Sequence, residues 1–209
     1  MTRRDTRLVG LALIAAAVSL PIATRADDAA GLLDPTRLEP GRCFHSARLR
    51  QVACVNAFSD AGECRVHSLH FFTYAGHGVQ ALAIDDPGLP PERQDPARVG
   101  RPNAFLARNG FEPVPDAAYH PGGAAGPVQV PGAARSVEVR GGFLAFMDAG
   151  GRGILMVKLG VRRPDVARIV SVALIPGTRT AAYALMNAPD APAGTPRPAT
   201  WTSGVVEVP

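Results

Sequence analysis

The chain has 209 residues, 46% of them hydrophobic and 19% charged, with 22 glycines, 20 prolines and three cysteines. Too few charges and too many apolar residues exclude a disordered tail, the glycines and prolines lack a collagen period, and the length suits one compact domain or two small ones. The formal net charge of +4 suggests a basic field until its source along the chain is traced.

That source is the N-terminus. Arg3, Arg4 and Arg7 precede an apolar run from Leu8 to Leu20, Pro21 breaks it, and Thr24-Arg25-Ala26 leads into Asp27-Asp28. A charged start, a short apolar stretch and small residues at the −3 and −1 positions make up a secretory signal peptide over residues 1–26. The apolar run falls short of the roughly 18 residues that a spanning helix needs. Thr6 and Arg7 stand where a twin-arginine signal wants apolar residues, and Cys43 lies too far downstream to accept a lipid. Cleavage after Ala26 removes four basic groups and one acidic group, leaving 18 basic against 17 acidic, a net charge of +1. No nucleic-acid partner is expected from so balanced a chain, and no transmembrane segment remains. The expected location is periplasmic or secreted.

After the leader, residues 27–40 are polar and broken by proline, which predicts a flexible lead-in. Residues 48–58 read as a strand, Ser59-Asp60-Ala61-Gly62 as a turn, and residues 64–74, rich in aromatic and β-branched residues, as a second strand. Ala75-Gly76-His77-Gly78 is another turn, and residues 79–84 form a third strand. Five prolines make residues 85–102 a long loop. Asn103 to Asn109 predicts a short helix stopped by Gly110. These elements give a β-rich first half, 41–112. Residues 113–134 are a proline, glycine and alanine stretch, read as a linker or loop.

The second half, 135–209, is again β-rich. Residues 137–147 are apolar around Gly141-Gly142, residues 148–153 turn, and residues 154–161 and 166–175 are apolar runs of strand length. Residues 180–188 mix alanine and leucine with a position after a turn, and the position favours a strand. Residues 69–84 and 143–159 also echo each other: an apolar run, a glycine turn and a second apolar run, aligned by one inserted glycine. The predicted fold is mainly β, with two sets of β-hairpins forming a sandwich or half-open barrel and at most one or two short helices.

Chemistry-bearing side chains gather in one stretch: Cys43, His45, Cys54, Cys64, His67, His70 and His77. An exported chain meets an oxidising compartment. If the first two strands pair about a turn near Asp60, Cys54 and Cys64 face each other, so the expected disulfide is Cys54–Cys64, with Cys43–Cys54 and Cys43–Cys64 as competing pairings. The same stretch offers Cys43, His45, His67 and His70 as candidate metal ligands. Against them, residues three apart on a strand point to opposite faces, so His67 and His70 diverge, and the paired Cys-x-x-Cys knuckles of structural zinc sites are missing.

Motifs for covalent chemistry are missing too: no Gly-x-Ser-x-Gly elbow, His-Glu-x-x-His, phosphate-binding loop, dinucleotide fingerprint or haem-attachment motif occurs. No catalytic residue and no cofactor is predicted. The sequence therefore reads as an exported, soluble, β-rich protein of the bacterial envelope, a binding or structural module that meets an envelope partner or a small ligand. The alternative is a periplasmic metal-binding protein using the Cys/His cluster at 43–77.

Overall fold

The computed structural model describes residues 32–60, 64–122, 127–131, 134, 136–160, 167–187 and 199–209. The expected signal peptide lies outside them. The described strands are β1 (Cys43–Ser46), β2 (Gln51–Asp60), β3 (Cys64–Thr73), β4 (Gly78–Ala83), β5 (Glu112–Pro113), β6 (Tyr119–Pro121), β7 (Val128–Gln129), β8 (Ser136–Arg140), β9 (Phe143–Met147), β10 (Gly153–Lys158), β11 (Ala167–Leu174), β12 (Thr180–Asn187) and β13 (Ala199–Glu207). One α-helix, α1 (Gly100–Arg108), and short 3-10 turns complete the inventory. The protein is mainly β, as its alternating apolar runs and glycine turns predict.

Two antiparallel sheets form. The larger has nine strands in the order β4-β3-β2-β13-β12-β11-β6, with β1 paired to β2 and β5 to β1; the smaller runs β10-β9-β8-β7. β2 organises the larger sheet. One edge pairs with β3 from Gln51 to Asp60, while the other edge is shared, residues 51–54 pairing with β1 and residues 57–59 with β13. Its sequence has apolar residues on both faces, as a central strand requires. Ala53 and Val55 pack with Leu69, Phe71, Leu106 and Phe111 beneath α1. Val52 and Cys54 face the other way and join Ala173, Ile175, Ala182 and Val205. Strands from both ends of the chain thus share one cluster, and the large sheet curls back on itself without closing. The small sheet covers the remaining face: Val137, Leu144 and Phe146 interdigitate with Ile169, Val172, Ala181, Leu185 and Val206 in a sandwich core.

Helix α1 caps the β2–β3 face. Phe71 meets Phe105 and Phe111 edge-on, with ring centroids 5.1 and 5.6 Å apart, the geometry that aromatic quadrupoles favour. Gly110, at φ +63°, ends the helical region. The helix also pins residues expected to be a flexible lead-in. The Asn103 side chain accepts a hydrogen bond from the Leu33 amide at 2.9 Å and donates to the Leu33 carbonyl at 3.1 Å, and Leu33 is buried.

The two echoing segments share one turn. In the β3–β4 hairpin the Thr73 amide donates to the His77 carbonyl and the Gly76 amide to Thr73; in the β9–β10 hairpin Asp148 donates to Arg152 and Gly151 to Asp148. Gly76 and Gly151 both have positive φ. This is a three-residue loop with a left-handed glycine, and it matches residue for residue, so the inserted glycine of the sequence alignment is unnecessary.

Strand register corrects one expectation. In the β2–β3 pair Cys54 lies opposite His70, and Cys64 lies opposite Asp60. Ser59 and Asp60, read from sequence as the start of a turn, extend the strand instead. Cys54 and Cys64 are then about 20 Å apart along the strands, six residues at roughly 3.3 Å each, so the expected Cys54–Cys64 bridge does not form. Cys43 lies directly opposite Cys54 in the β1–β2 pair, and these two are joined. The short strand β1, unassigned from sequence, brings Cys43 there.

Candidate functional site

The structure does not bring the four candidate metal ligands together. The Cys43 sulfur is committed to the disulfide. His45 lies opposite Val52 on the face of β1 that carries Cys43. His70 donates or accepts at 2.9 Å with the Ser68 hydroxyl, and burial pushes its imidazole below the ordinary histidine range. His67 faces the opposite side of β3, with Leu69 and Phe71. Among the described residues no three His, Cys, Asp or Glu side chains gather as a metal cluster.

His67 is instead part of a buried charged cluster. Asp85, on the loop after β4, accepts the His67 backbone amide at 2.8 Å and contacts the His67 Nδ1. Its other oxygen accepts Arg98 Nε at 2.6 Å. Arg98 also donates to the Pro35 carbonyl at 2.9 Å and the Asp95 carbonyl at 3.1 Å. One carboxylate therefore ties β3, the 85–99 loop and the lead-in segment, with its charge matched by a guanidinium. The His67 side chain is 10% exposed and that of Asp85 2%, and the His67 Nε2 atom is buried without a hydrogen-bond partner. A general base must reach the proton it takes. This imidazole is walled off, and the cluster acts as a staple within the fold.

The clefts lined by described residues include two on the large sheet that each hold both an arginine and an acidic side chain. The smaller, about 240 Å³, is lined by Arg42, Asp116, Tyr119 and Ser171. Its cation is already engaged: Arg42 pairs with Asp116 and lies 5.5 Å from the Tyr119 ring centroid. The Tyr119 hydroxyl accepts the Cys43 amide at 2.7 Å, which anchors β6 beside the disulfide. Burial pushes this phenol upward, opposed by that amide and by Arg42.

The larger cleft, about 590 Å³, is lined by Arg50, Tyr74, Thr178, Arg179, Thr180 and Glu207. Three turns at one end of the curled sheet build it: residues 47–50 between β1 and β2, residues 74–77 between β3 and β4, and residues 176–179 between β11 and β12. Backbone bonds lock them together. The Tyr74 amide donates to the Arg50 carbonyl at 3.0 Å, and the Thr180 hydroxyl to the Tyr74 carbonyl at 3.4 Å. Gly76, at φ +88°, packs so closely on β13 that a Cβ would lie 2.2 Å from the Val205 carbonyl oxygen. The site thus rests on turns held by a rigid sheet, the usual setting for binding residues.

Its chemistry is cationic. Arg179 pairs with Glu207 at 2.9 Å; among the described residues Arg50 has no ion-pair partner. The Tyr74 hydroxyl is buried and unpartnered, and burial raises its pKa while Arg50 opposes the rise. None of these residues carried a motif in the sequence. They are brought together by three turns far apart in the chain, and only the turn signals at 75–78 and 176–178 were visible.

Comparison of the chain with protein-family models, with curated proteins and with solved structures gave no match.

Proposed function

We propose that this chain is an exported module of the bacterial envelope, periplasmic or secreted, that works by non-covalent binding. The observation that carries the reading is the Cys43–Cys54 disulfide. Cytosolic thiols are kept reduced, whereas disulfides form and persist after export. Both cysteines are buried, and their bridge fastens β1 to the central strand. The charged start and 13-residue apolar run from Leu8 to Leu20 supply the matching route out of the cytoplasm. Among the described residues no helix is long and apolar enough to cross a membrane.

Binding is favoured over covalent chemistry by the geometry of the polar groups. The imidazole beside a carboxylate, His67, is enclosed. In the larger cleft the Thr178 and Thr180 hydroxyls donate to backbone carbonyls and the Glu207 carboxylate is paired with Arg179, so no hydroxyl sits beside a base that would activate it. Expression of the full chain in a bacterial host tests the reading. The expected product is extracytoplasmic, begins at Asp27 and is oxidised at Cys43 and Cys54. A cytoplasmic protein that keeps Met1 and has three reduced thiols would overturn it.

A further inference from the structure

We propose that the cleft between the 47–50, 74–77 and 176–179 turns binds a small organic carboxylate with an apolar body, held by Arg50 and Arg179. The proposal deepens the binding-module reading and rests on it. Four observations support it.

Charge comes first. Two guanidiniums and one carboxylate line the cleft, which leaves a single net positive charge, the complement of a monoanion. Arg179 spends part of its donor fork on Glu207 Oε1 and keeps the rest. Arg50 spends none of its side chain on an acidic group among the described residues. A guanidinium presents five donors in a planar fork that matches a carboxylate two at a time.

Backbone conformation is the second. Arg50 is the one non-glycine residue with positive φ among the described residues, at +52°. Left-handed backbone is costly for a residue with a Cβ, and glycine would adopt it freely. Strain of this kind concentrates where a side chain serves a ligand. Here it sets an arginine at the mouth of the cleft, on a turn fixed by the Tyr74 amide.

Third, Tyr74 lines the same wall and packs against the buried cluster beneath it, which gives the apolar body of a ligand a fixed ring surface. Fourth, size and polarity fit. Ala47, Ala75 and Pro176 supply apolar wall between the polar groups, and a volume of about 590 Å³ lies within the roughly 300–1,000 Å³ of small-molecule sites.

The test is an NMR titration of the purified full chain with sodium hexanoate, hexanamide and hexyl phosphate. Hexanoate should give saturable amide shifts at residues 47–50, 74–77 and 176–180. Hexanamide, equal in shape but uncharged, should bind at least tenfold more weakly, and the doubly charged hexyl phosphate more weakly than hexanoate. Arg50→Gly separates binding from folding. It should raise Tm by relieving the left-handed arginine, yet weaken hexanoate binding at least tenfold; Arg179→Gln should weaken it similarly. Equal affinity for hexanoate and hexanamide, no saturation, or wild-type affinity in Arg50→Gly would overturn the site. Tighter binding of hexyl phosphate would overturn the carboxylate assignment. A chain that is exported and oxidised yet ignores hexanoate removes the site alone, while a reduced cytoplasmic chain removes the binding-module reading whatever the titration shows.

Discussion

Cys43 and Cys54 face each other across the β1–β2 pair with their Cα atoms 4.1 Å apart, and their sulfurs are bonded. The closed loop is short, with a sequence separation of 11, and in the chain-entropy account such a crosslink stabilises by about 3 kcal/mol. Replacing both cysteines with alanine should lower the unfolding free energy by about that amount, read by urea denaturation. Unfolded, unreduced protein should titrate one thiol, from Cys64. A count of three thiols would contradict the bridge.

Asp85 holds Arg98 and the His67 amide from a nearly solvent-free position. Removing one partner of a buried pair leaves the other charge uncompensated, which costs more than the pair itself contributes. Asp85→Asn should therefore destabilise by about 3 kcal/mol or more, and limited proteolysis should then cut first in the 85–99 loop. An unfolding midpoint within error of wild type would mean that the cluster carries no stability.

Gly204 lies opposite Tyr183 in the β12–β13 pair, and the tyrosine ring covers it: a Cβ on Gly204 would lie 2.2 Å from the Tyr183 hydroxyl oxygen. Gly204→Ala should cost about 1–3 kcal/mol by overpacking. Tyr183→Ala opens the space, so the double variant should be more stable than the two single effects predict. Strict additivity in the double-mutant cycle would deny the contact.

His70 links stability to pH. Burial disfavours its charged form, so its folded pKa lies below the unfolded value of 6.5 and the unfolded chain binds the proton more tightly. The stability is fully present above the unfolded value and is lost as pH falls through the folded one. Wild-type Tm should drop from pH 7.5 to pH 5, and His70→Gln should drop less. Identical slopes would assign the pH dependence to other groups.

Much of this protein was legible in the chain. The β-rich class and the short helix before Gly110 follow from local rules: period-2 apolar runs, and glycine where positive φ is needed. The divergence of His67 and His70 needed only the alternation of a strand. Register was not local. The β2 run continues through Ser59 and Asp60 because β3 pairs with both and β13 with Ser59, and a shift of the turn by a few residues moved Cys64 out of reach of Cys54. Strands β1 and β13 went unassigned because CFHS is too short to show a period and ATWTSGVVE mixes polar residues into a strand; their pairing with β2, not their own pattern, makes them strands. The disulfide and the arginine-lined cleft were decided at the same level. Cys43 meets Cys54 through a hairpin with a four-residue connection, and Arg50 meets Tyr74 and Arg179 only because the large sheet curls, which depends on burying Val52, Cys54, Ala182 and Val205 together. Residue spacing carries the local preferences, but long-range burial sets which turns share an end of the sheet.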